Sequence, residues 1–369
     1  MTTQYRPKVA VIGTGGTFAM QARDPFDWVE YSESGVVLPI DHLLEQLGEV
    51  APHIECVPVP FRALGSTAIT PADWLELARL IERTASERPD IEGFVITHGT
   101  ATMEETAYFL DLALDLDVGL VLTGAQRPVN TAGSDVLGNL RAALAVATCA
   151  QAKACGALVV MDNKAYAARD VSKSSSFDLN AFEAIPYGPL AQVDALAHVH
   201  WRRCLPDNGW HAQFRFEGVS ALARVDIATS YAGADGAVID ALVAAGSKAI
   251  VSAGLAPGRP AAGEVAAIRR ATAAGVVVVQ ASRAVRAIVP RQAFLQRDGV
   301  LAGGDLSPHK LRILLMLALT RNLPASQLQD CILGASRRRV AAAQLNNRHH
   351  VRSPGHGRRW FSFACRAVN

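Results

Sequence analysis

The stretch that most constrains the fold is the apolar run Gly93-Phe94-Val95-Ile96, followed by Thr97-His98-Gly99-Thr100-Ala101-Thr102-Met103-Glu104-Glu105-Thr106-Ala107. The run reads as a buried strand, and Tyr108-Phe109-Leu110-Asp111-Leu112 continues at helical spacing. A strand that breaks at a glycine and re-forms as a helix is where α/β folds keep their chemistry. Two threonine hydroxyls and several backbone N–H groups converge at that helix N-terminus, where partial positive charge favours an anion or oxyanion. The stretch taken alone gives equal weight to a second account, in which Thr102 caps the helix and Glu105 closes a capping box.

The same unit recurs along the chain. Val9-Ala10-Val11-Ile12 runs into the glycine turn Gly13-Thr14-Gly15-Gly16-Thr17-Phe18, a helix is expected over 39–47, and a strand over 54–60. Thr70 and Pro71 supply an N-cap and an N1 proline for a helix whose apolar positions Trp74, Leu77, Ala78 and Ile81 follow the 3.6 period. Further strands are expected at 120–123 and 157–161, with a helix over 134–149. This alternation predicts an α/β fold with a larger N-terminal, doubly wound, mainly parallel sheet domain over 1–195. Residues 19–38 lack periodicity and read as a long mobile loop over a site.

Between 196 and 217 the pattern fades into an inter-domain connection marked by Trp201, Pro206, Asp207, Asn208 and Gly209. It resumes over 218–333 as a smaller C-terminal α/β domain. Strands are expected there at 219–227, 249–251 and 276–279, and helices at 237–245, 264–274 and 308–319. From about 334 the hydrophobic rhythm stops, and 334–369 reads as a basic, disordered tail.

Composition narrows the partners. The chain of 369 residues is half hydrophobic, enough for two cores, and carries a net charge of +2. From Cys331 onward there are eight arginines and no Asp, Glu or Lys, so a mildly acidic body carries a basic tail. Neither a nucleic-acid nor a membrane partner is expected. Six cysteines lie scattered without a C-x-x-C pair, which fits reduced thiols and a cytoplasmic setting. No apolar h-region precedes the first strand, and no apolar stretch reaches membrane-spanning length, so a soluble protein is expected.

Several chemistries lack their residues. The third glycine of a dinucleotide fingerprint would fall at Phe18, and there is no Gly-Lys-Ser/Thr phosphate loop. His98 stands alone, His198 and His200 lie in the weakest-patterned segment, and no H-E-x-x-H occurs, so no metal is expected. There is no G-x-S-x-G elbow. Hydroxyl chemistry remains, with Thr17 and Thr100 each on a glycine turn after a strand. A threonine hydroxyl needs a neighbour to take its proton. The candidates are Tyr31 in the 19–38 loop and Lys173 in Arg169-Asp170-Val171-Ser172-Lys173-Ser174. A desolvated lysine is neutral enough to act as a base. The residues alone leave both open, since Tyr31 also reads as a loop aromatic and Lys173 as a surface cation.

A family pattern bears on the choice. Thr14-Gly15-Gly16-Thr17, His98-Gly99-Thr100 with Met103-Glu104-Glu105-Thr106-Ala107, and Gly124-Ala125-Gln126-Arg127-Pro128 occur in order. Arg169-Asp170-Val171-Ser172-Lys173, Tyr187-Gly188-Pro189-Leu190 and Ile250-Val251-Ser252-Ala253-Gly254 follow. Over about 8–333 the chain resembles the bacterial asparaginase/glutaminase family of threonine amidohydrolases. The resemblance implies Thr17 as primary nucleophile with Tyr31 beside it on a lid, and Thr100–Lys173 as a second hydroxyl–base pair. It also implies backbone N–H groups near Thr100 holding the oxyanion. Gly16, Ser66, Thr67, Gly99 and Ala101 match substrate-lining positions, Ser66 being the hydroxyl that binds the α-carboxylate. The implied reaction releases ammonia from a small-molecule amide, asparagine above all, through an acyl-enzyme. No metal or organic cofactor is implied, and the implied assembly is a homo-oligomer, a dimer or tetramer.

Four departures concern recognition rather than chemistry. Position 101 is Ala where the family has an acid, Thr67 stands for Gln, and Pro257 falls near the usual Asn. No Asp or Glu occurs between Arg283 and Arg297 to match the acid expected from the second domain. A lost charge-assisted contact costs on the order of 1.5–3 kcal/mol. Weakened selection for a free α-amine is therefore expected. The alternatives are a high KM for asparagine, or an amide whose amine is blocked or absent, such as an N-acylated asparagine or a succinamate-like compound. Asp135 and Asp235 are candidate replacement acids. A catalytically weak amino-acid-binding homologue is the rival from another class.

Overall fold

The computed structural model describes residues 5–203, 214 and 216–336. The first ten strands are β1 Lys8–Gly15, β2 Glu55–Leu64, β3 Ile91–Thr97, β4 Gly119–Thr123, β5 Ala157–Met161, β6 Lys164–Ala167, β7 Ser172–Lys173, β8 Phe182–Glu183, β9 Ala191–Val193 and β10 Val199–Trp201. The last four are β11 Val225–Thr229, β12 Ala249–Gly254, β13 Val277–Ser282 and β14 Leu301–Ala302. The helices are α1 Ile40–Leu47, α2 Pro71–Glu87, α3 Met103–Ala113, α4 Val136–Ala147, α5 Ala237–Ala244, α6 Val265–Ala273, α7 Ala293–Arg297, α8 Pro308–Ala318 and α9 Ala325–Ser336.

Eight strands form one sheet in the order β10-β9-β6-β5-β4-β3-β1-β2. From β2 to β5 every pairing is parallel, whereas β6, β9 and β10 join antiparallel at the far edge. β11 to β14 form a second, wholly parallel sheet. The period-2 alternation of a strand sorts its side chains between two faces. Phe94, Ile96, Leu120 and Leu122 point into one core with Trp74, Leu77, Ile81 and Phe109 of α2 and α3. Val95, Val121, Leu158 and Val160 point into another with Leu43, Leu140 and Leu144 of α1 and α4. Both faces are covered, which is why these strands read as continuous apolar runs.

Helix α8 joins the two sheets. Leu311, Leu314, Leu315 and Leu317 share the α2–α3 core and also meet Val225, Val251 and Val279 of the second sheet. α3 and α8 thus lie between the sheets, and Arg312 of α8 donates to Val225 O at 3.0 Å while pairing with Glu105 of α3 at 3.3 Å.

Several expectations shift. The strand expected at 219–227 starts only at Val225, after turns. Val199–Trp201, inside the stretch expected as connection, completes the edge of the larger sheet by pairing with β9. A short bridge from Met20 to Val37 and the 3-10 turn Tyr31–Ser34 give residues 19–38 local structure. α9 follows the last of the expected helices, and 337–369 of the expected tail lie outside the described residues. Among the described residues no helix is long and apolar enough to cross a membrane.

Candidate active site

β1 is followed by β2 on one side and by β3 on the other, so the strand order reverses between β1 and β3. The C-terminal ends of strands flanking such a reversal open into a crevice. Thr17 follows β1 and Thr100 follows β3, one on each side of it.

Glycine brings the two turns together. Gly16 sits at φ +70°, and a Cβ there would lie 2.3 Å from the Gly99 Cα. A Cβ on Gly99 would in turn lie 2.3 Å from the Ser66 Cβ. The turns after β1, β2 and β3 are therefore in close contact, with no room for side chains on these glycines. Two bonds lock the arrangement: Gly16 N–H donates to Leu64 O at 2.8 Å, and Thr14 Oγ1 donates to Thr97 O at 2.9 Å.

Each hydroxyl has its own partner. Thr17 Oγ1 and Tyr31 Oη share a hydrogen bond of 2.6 Å. The segment carrying Tyr31 is docked on the loop after β4. Ala22 exchanges two bonds with the Asn130 amide, Ala132 N–H donates to Pro25 O, and the Arg127 guanidinium lies 4.1 Å over the Trp28 ring. Lys173 Nζ donates to Thr100 Oγ1 at 2.7 Å and to Gln126 Oε1 at 3.0 Å. Burial pushes the Lys173 ammonium below the usual lysine range, and the Glu104 carboxylate partly opposes that shift. Lys173 N–H donates to Glu104 Oε1 at 3.3 Å.

His98 is structural. It is fully buried, and loss of hydration lowers its pKa to about 4 against a weaker, opposing hydrogen bond with Gly99. Trp74 Nε1–H donates to Thr106 Oγ1 at 2.8 Å, Thr106 Oγ1 lies 2.9 Å from His98 Nε2, and His98 Nδ1 lies 2.8 Å from Gly99 O. A neutral ring with its proton on Nδ1 satisfies all three contacts. Because a trans peptide sets C=O and N–H on opposite sides, fixing Gly99 O turns the Thr100 N–H away from the imidazole.

Thr17, Tyr31, Thr100 and Lys173 thus pair as two hydroxyl couples, and Gly16, Gly99 and Ser66 meet between them. Ser66 is half-buried, whereas Thr67 and Ala101 are exposed beside them. The capping box does not form. Thr102 Oγ1 instead donates to Ser66 O at 2.9 Å, tying the β2 turn to α3, and Glu105 is engaged by Arg312. Nor is either candidate replacement acid free. Asp135 accepts from the backbone of Gln126 and Arg127 and from Asn139, and the exposed Asp235 accepts Ala237 N–H through one carboxylate oxygen.

Three contributors escape the sequence reading: Gln126, Glu104 and Lys310. Gln126 Nε2 donates to Ser176 O at 3.1 Å, which turns its Oε1 toward Lys173. The Gly124–Pro128 run and the doubled glutamate of α3 are the available signals for the first two. A cavity of about 750 Å³ reaches Lys173 from the second domain and is walled by Thr229, Ala253, Ser282 and Arg283 at the ends of β11 to β13.

Comparison with known proteins gives the family. A family model described as "Asparaginase, N-terminal" matches residues 8–205, and one described as "Glutaminase/Asparaginase C-terminal domain" matches 224–332. A probable periplasmic L-asparaginase of Haemophilus influenzae is 33% identical over 326 residues, 88% of this chain and 92% of that protein. A glutaminase-asparaginase of Acinetobacter glutaminasificans is 33% identical over 328 residues, 87% of this chain and 98% of that protein. The crystal structure of a probable cytoplasmic L-asparaginase from Campylobacter jejuni superposes with a TM-score of 0.82 at 31% identity, covering 89% of this chain and 99% of that one.

Proposed function

The chain belongs to the asparaginase family of amidohydrolases, and from that premise we propose that it hydrolyses L-asparagine to L-aspartate and ammonia through a threonyl acyl-enzyme. The observation that carries the reading is the pair of hydroxyl couples on touching glycine turns at the strand-order reversal.

In this reading Thr17 Oγ1 adds to the side-chain amide carbon while its proton passes by way of Tyr31 Oη. The C–N bond breaks as that proton reaches the leaving nitrogen, and ammonia departs from a Thr17 ester. Water then attacks the ester. Its proton is taken by Thr100 Oγ1 as Lys173 accepts the hydroxyl proton. The ester C–O bond then breaks, and the proton held by Lys173 returns to the departing Thr17 Oγ1, which restores the hydroxyl and the free amine. Lowering the pKa of Lys173 by burial raises the fraction of free amine that this step needs. The Thr100 N–H, turned from His98, is a donor for the oxyanion, and one such donor is worth about 3–4 kcal/mol. Ser66 holds the α-carboxylate. These steps call on no metal or organic cofactor.

A second reading keeps the machinery and changes the substrate. Ala101 presents no carboxylate, and both Asp135 and Asp235 are bound elsewhere. An amide with a blocked or absent α-amine then loses nothing relative to asparagine. Ammonia release from asparagine, glutamine and N-acetylasparagine separates the readings. A strong preference for the acetylated amide selects the second, and no ammonia from any of them or from succinamate rejects both.

Homo-oligomerisation, as a dimer or tetramer, is supported by apolar side chains exposed in the single chain. These are Phe26 and Val29 on the lid, and Val285 and Ile288 after β13. Light scattering in solution tests it. The four described cysteines are free, which supports a cytoplasmic setting.

A further inference from the structure

The proposed reaction assigns no part to two charged groups beside it, Glu104 on α3 and Lys310 on α8. The partners of Lys173 Nζ, Thr100 Oγ1 and Gln126 Oε1, are both neutral. The negative charge acting on Lys173 comes from Glu104. The same carboxylate accepts the backbone N–H of Lys173 at 3.3 Å, so its position is tied to the residue it faces. Position 101, three residues earlier, holds only a methyl group.

The backbone bearing Glu104 is itself held. Lys310 is 1% exposed, and its Nζ donates to Glu104 O and to Ala168 O at 2.7 Å each. Ala168 lies five residues before Lys173. One buried ammonium therefore staples the first turn of α3 to the segment that delivers Lys173. A buried donor paired with two carbonyls is worth keeping because unpaired carbonyls in that place carry a desolvation cost.

We propose that Glu104 is a positioning residue for the Thr100–Lys173 couple, supplying the negative charge that an alanine at position 101 leaves out, with Lys310 anchoring the backbone that carries it. The proposal rests on the threonyl reading of the site. A neighbouring carboxylate favours the charged form of a lysine, so Glu104 opposes the lowering of the Lys173 pKa by burial. Other charged groups near Lys173 are Glu183 on the paired strand, His309 and Lys310 on α8, and Arg283 across the cavity. Arg169 is bound to Asp170 at 2.8 Å and to Asp305 at 2.6 Å.

The test is Glu104→Gln, which keeps the shape and the acceptor for Lys173 N–H but removes the charge. The rate of acylation of Lys173 by acetic anhydride, measured against pH by peptide mass spectrometry, reports its titration without needing turnover. The expected midpoint falls by about one pH unit. The acidic limb of kcat/KM for asparagine moves the same way, because the neutral amine then survives to lower pH. KM stays within about threefold. A merely structural role would weaken folding and leave both midpoints in place, and coincident midpoints overturn the proposal. If Glu104→Gln does not fold, Glu104→Asp retracts the carboxylate by one methylene and should show a smaller shift of the same sign, with no shift again overturning it. Failure of the wild-type protein to release ammonia sinks the reaction, whereas the labelling midpoint still decides the part played by Glu104.

Discussion

The two threonine turns are built from the same sequence device and end in different environments. Each follows a buried parallel strand, breaks at glycine and presents a hydroxyl. Thr17 meets its partner across the 19–38 segment, where Tyr31 stands on a single 3-10 turn docked through Asn130 and Arg127. Thr100 meets its partner inside the molecule. Lys173 bonds to it, Gln126 and Glu104 hold Lys173 in turn, Lys310 fixes the Glu104 backbone, and His98 bonds the carbonyl of the preceding Gly99. The contrast points to a division of labour. Under the proposed reaction, the hydroxyl that attacks substrate has its partner on a segment that wraps over it, whereas the one that handles the water proton has a desolvated base in a rigid frame.

The sharpest way to break this division is to remove the hydroxyls separately. Thr17→Ala is expected to lower kcat on the order of 10³-fold or more with melting unchanged. Thr100→Ala should leave the fold intact too, and a loss equal to that of the double variant would show the turns acting as one unit. Lys173→Met comes next, with kcat down roughly 10²–10⁴-fold, the range of a general base. Because the ammonium is held partly out of water, this variant should melt no lower than wild type. A clear fall in melting temperature would assign Lys173 a structural role instead.

His98 probes the rigidity of the Thr100 turn. Its folded pKa of about 4 lies below the ordinary histidine value, so the native state binds fewer protons than the unfolded chain between those two points. Stability from this group is complete above about pH 6.5 and is lost as pH falls toward 4, by about 3 kcal/mol in all. Urea unfolding at about pH 7 and about pH 4.5 should show that loss in wild type and much less of it in His98→Asn. Equal acid sensitivity in both would move the weak point elsewhere. The smallest expected effect is Tyr31→Phe. One hydrogen bond at 2.6 Å and the proton relay it offers disappear, and kcat/KM should drop about 10²-fold, the low end for a proton-transferring group, with no change in stability. A drop as large as that of Thr17→Ala would put the lid phenol on an equal footing with Lys173.

How much of this is legible in the sequence depends on the range of the interaction. Buried strands show as uninterrupted apolar runs, and Thr70-Pro71 sets a helix start by local chemistry that Asp73 completes as a capping box. The stretch Val219 to Arg224 carries a strand-like pattern but no ladder, because Val219 and Leu222 pack on the α3–α8 core from turns. Thr102 and Glu105 have the spacing to cap each other, and that reading fails for a tertiary reason. Ser66 O and Arg312 offer both side chains better-placed partners from other elements.

The sequence by itself determined the alternation that forces a parallel sheet, the glycines that let turns approach and the residues able to move protons, because these follow from periodicity, φ and functional-group chemistry. Tertiary structure decided which hydroxyl meets which base, which carboxylates are already bound and that a lysine on α8 reaches α3 and the segment before Lys173. Those pairings join positions as far apart as Lys310 and Glu104 through a single buried ammonium. Such contacts leave no trace in local pattern, since a lysine in a helix reads the same whether its stem ends in water or between two carbonyls.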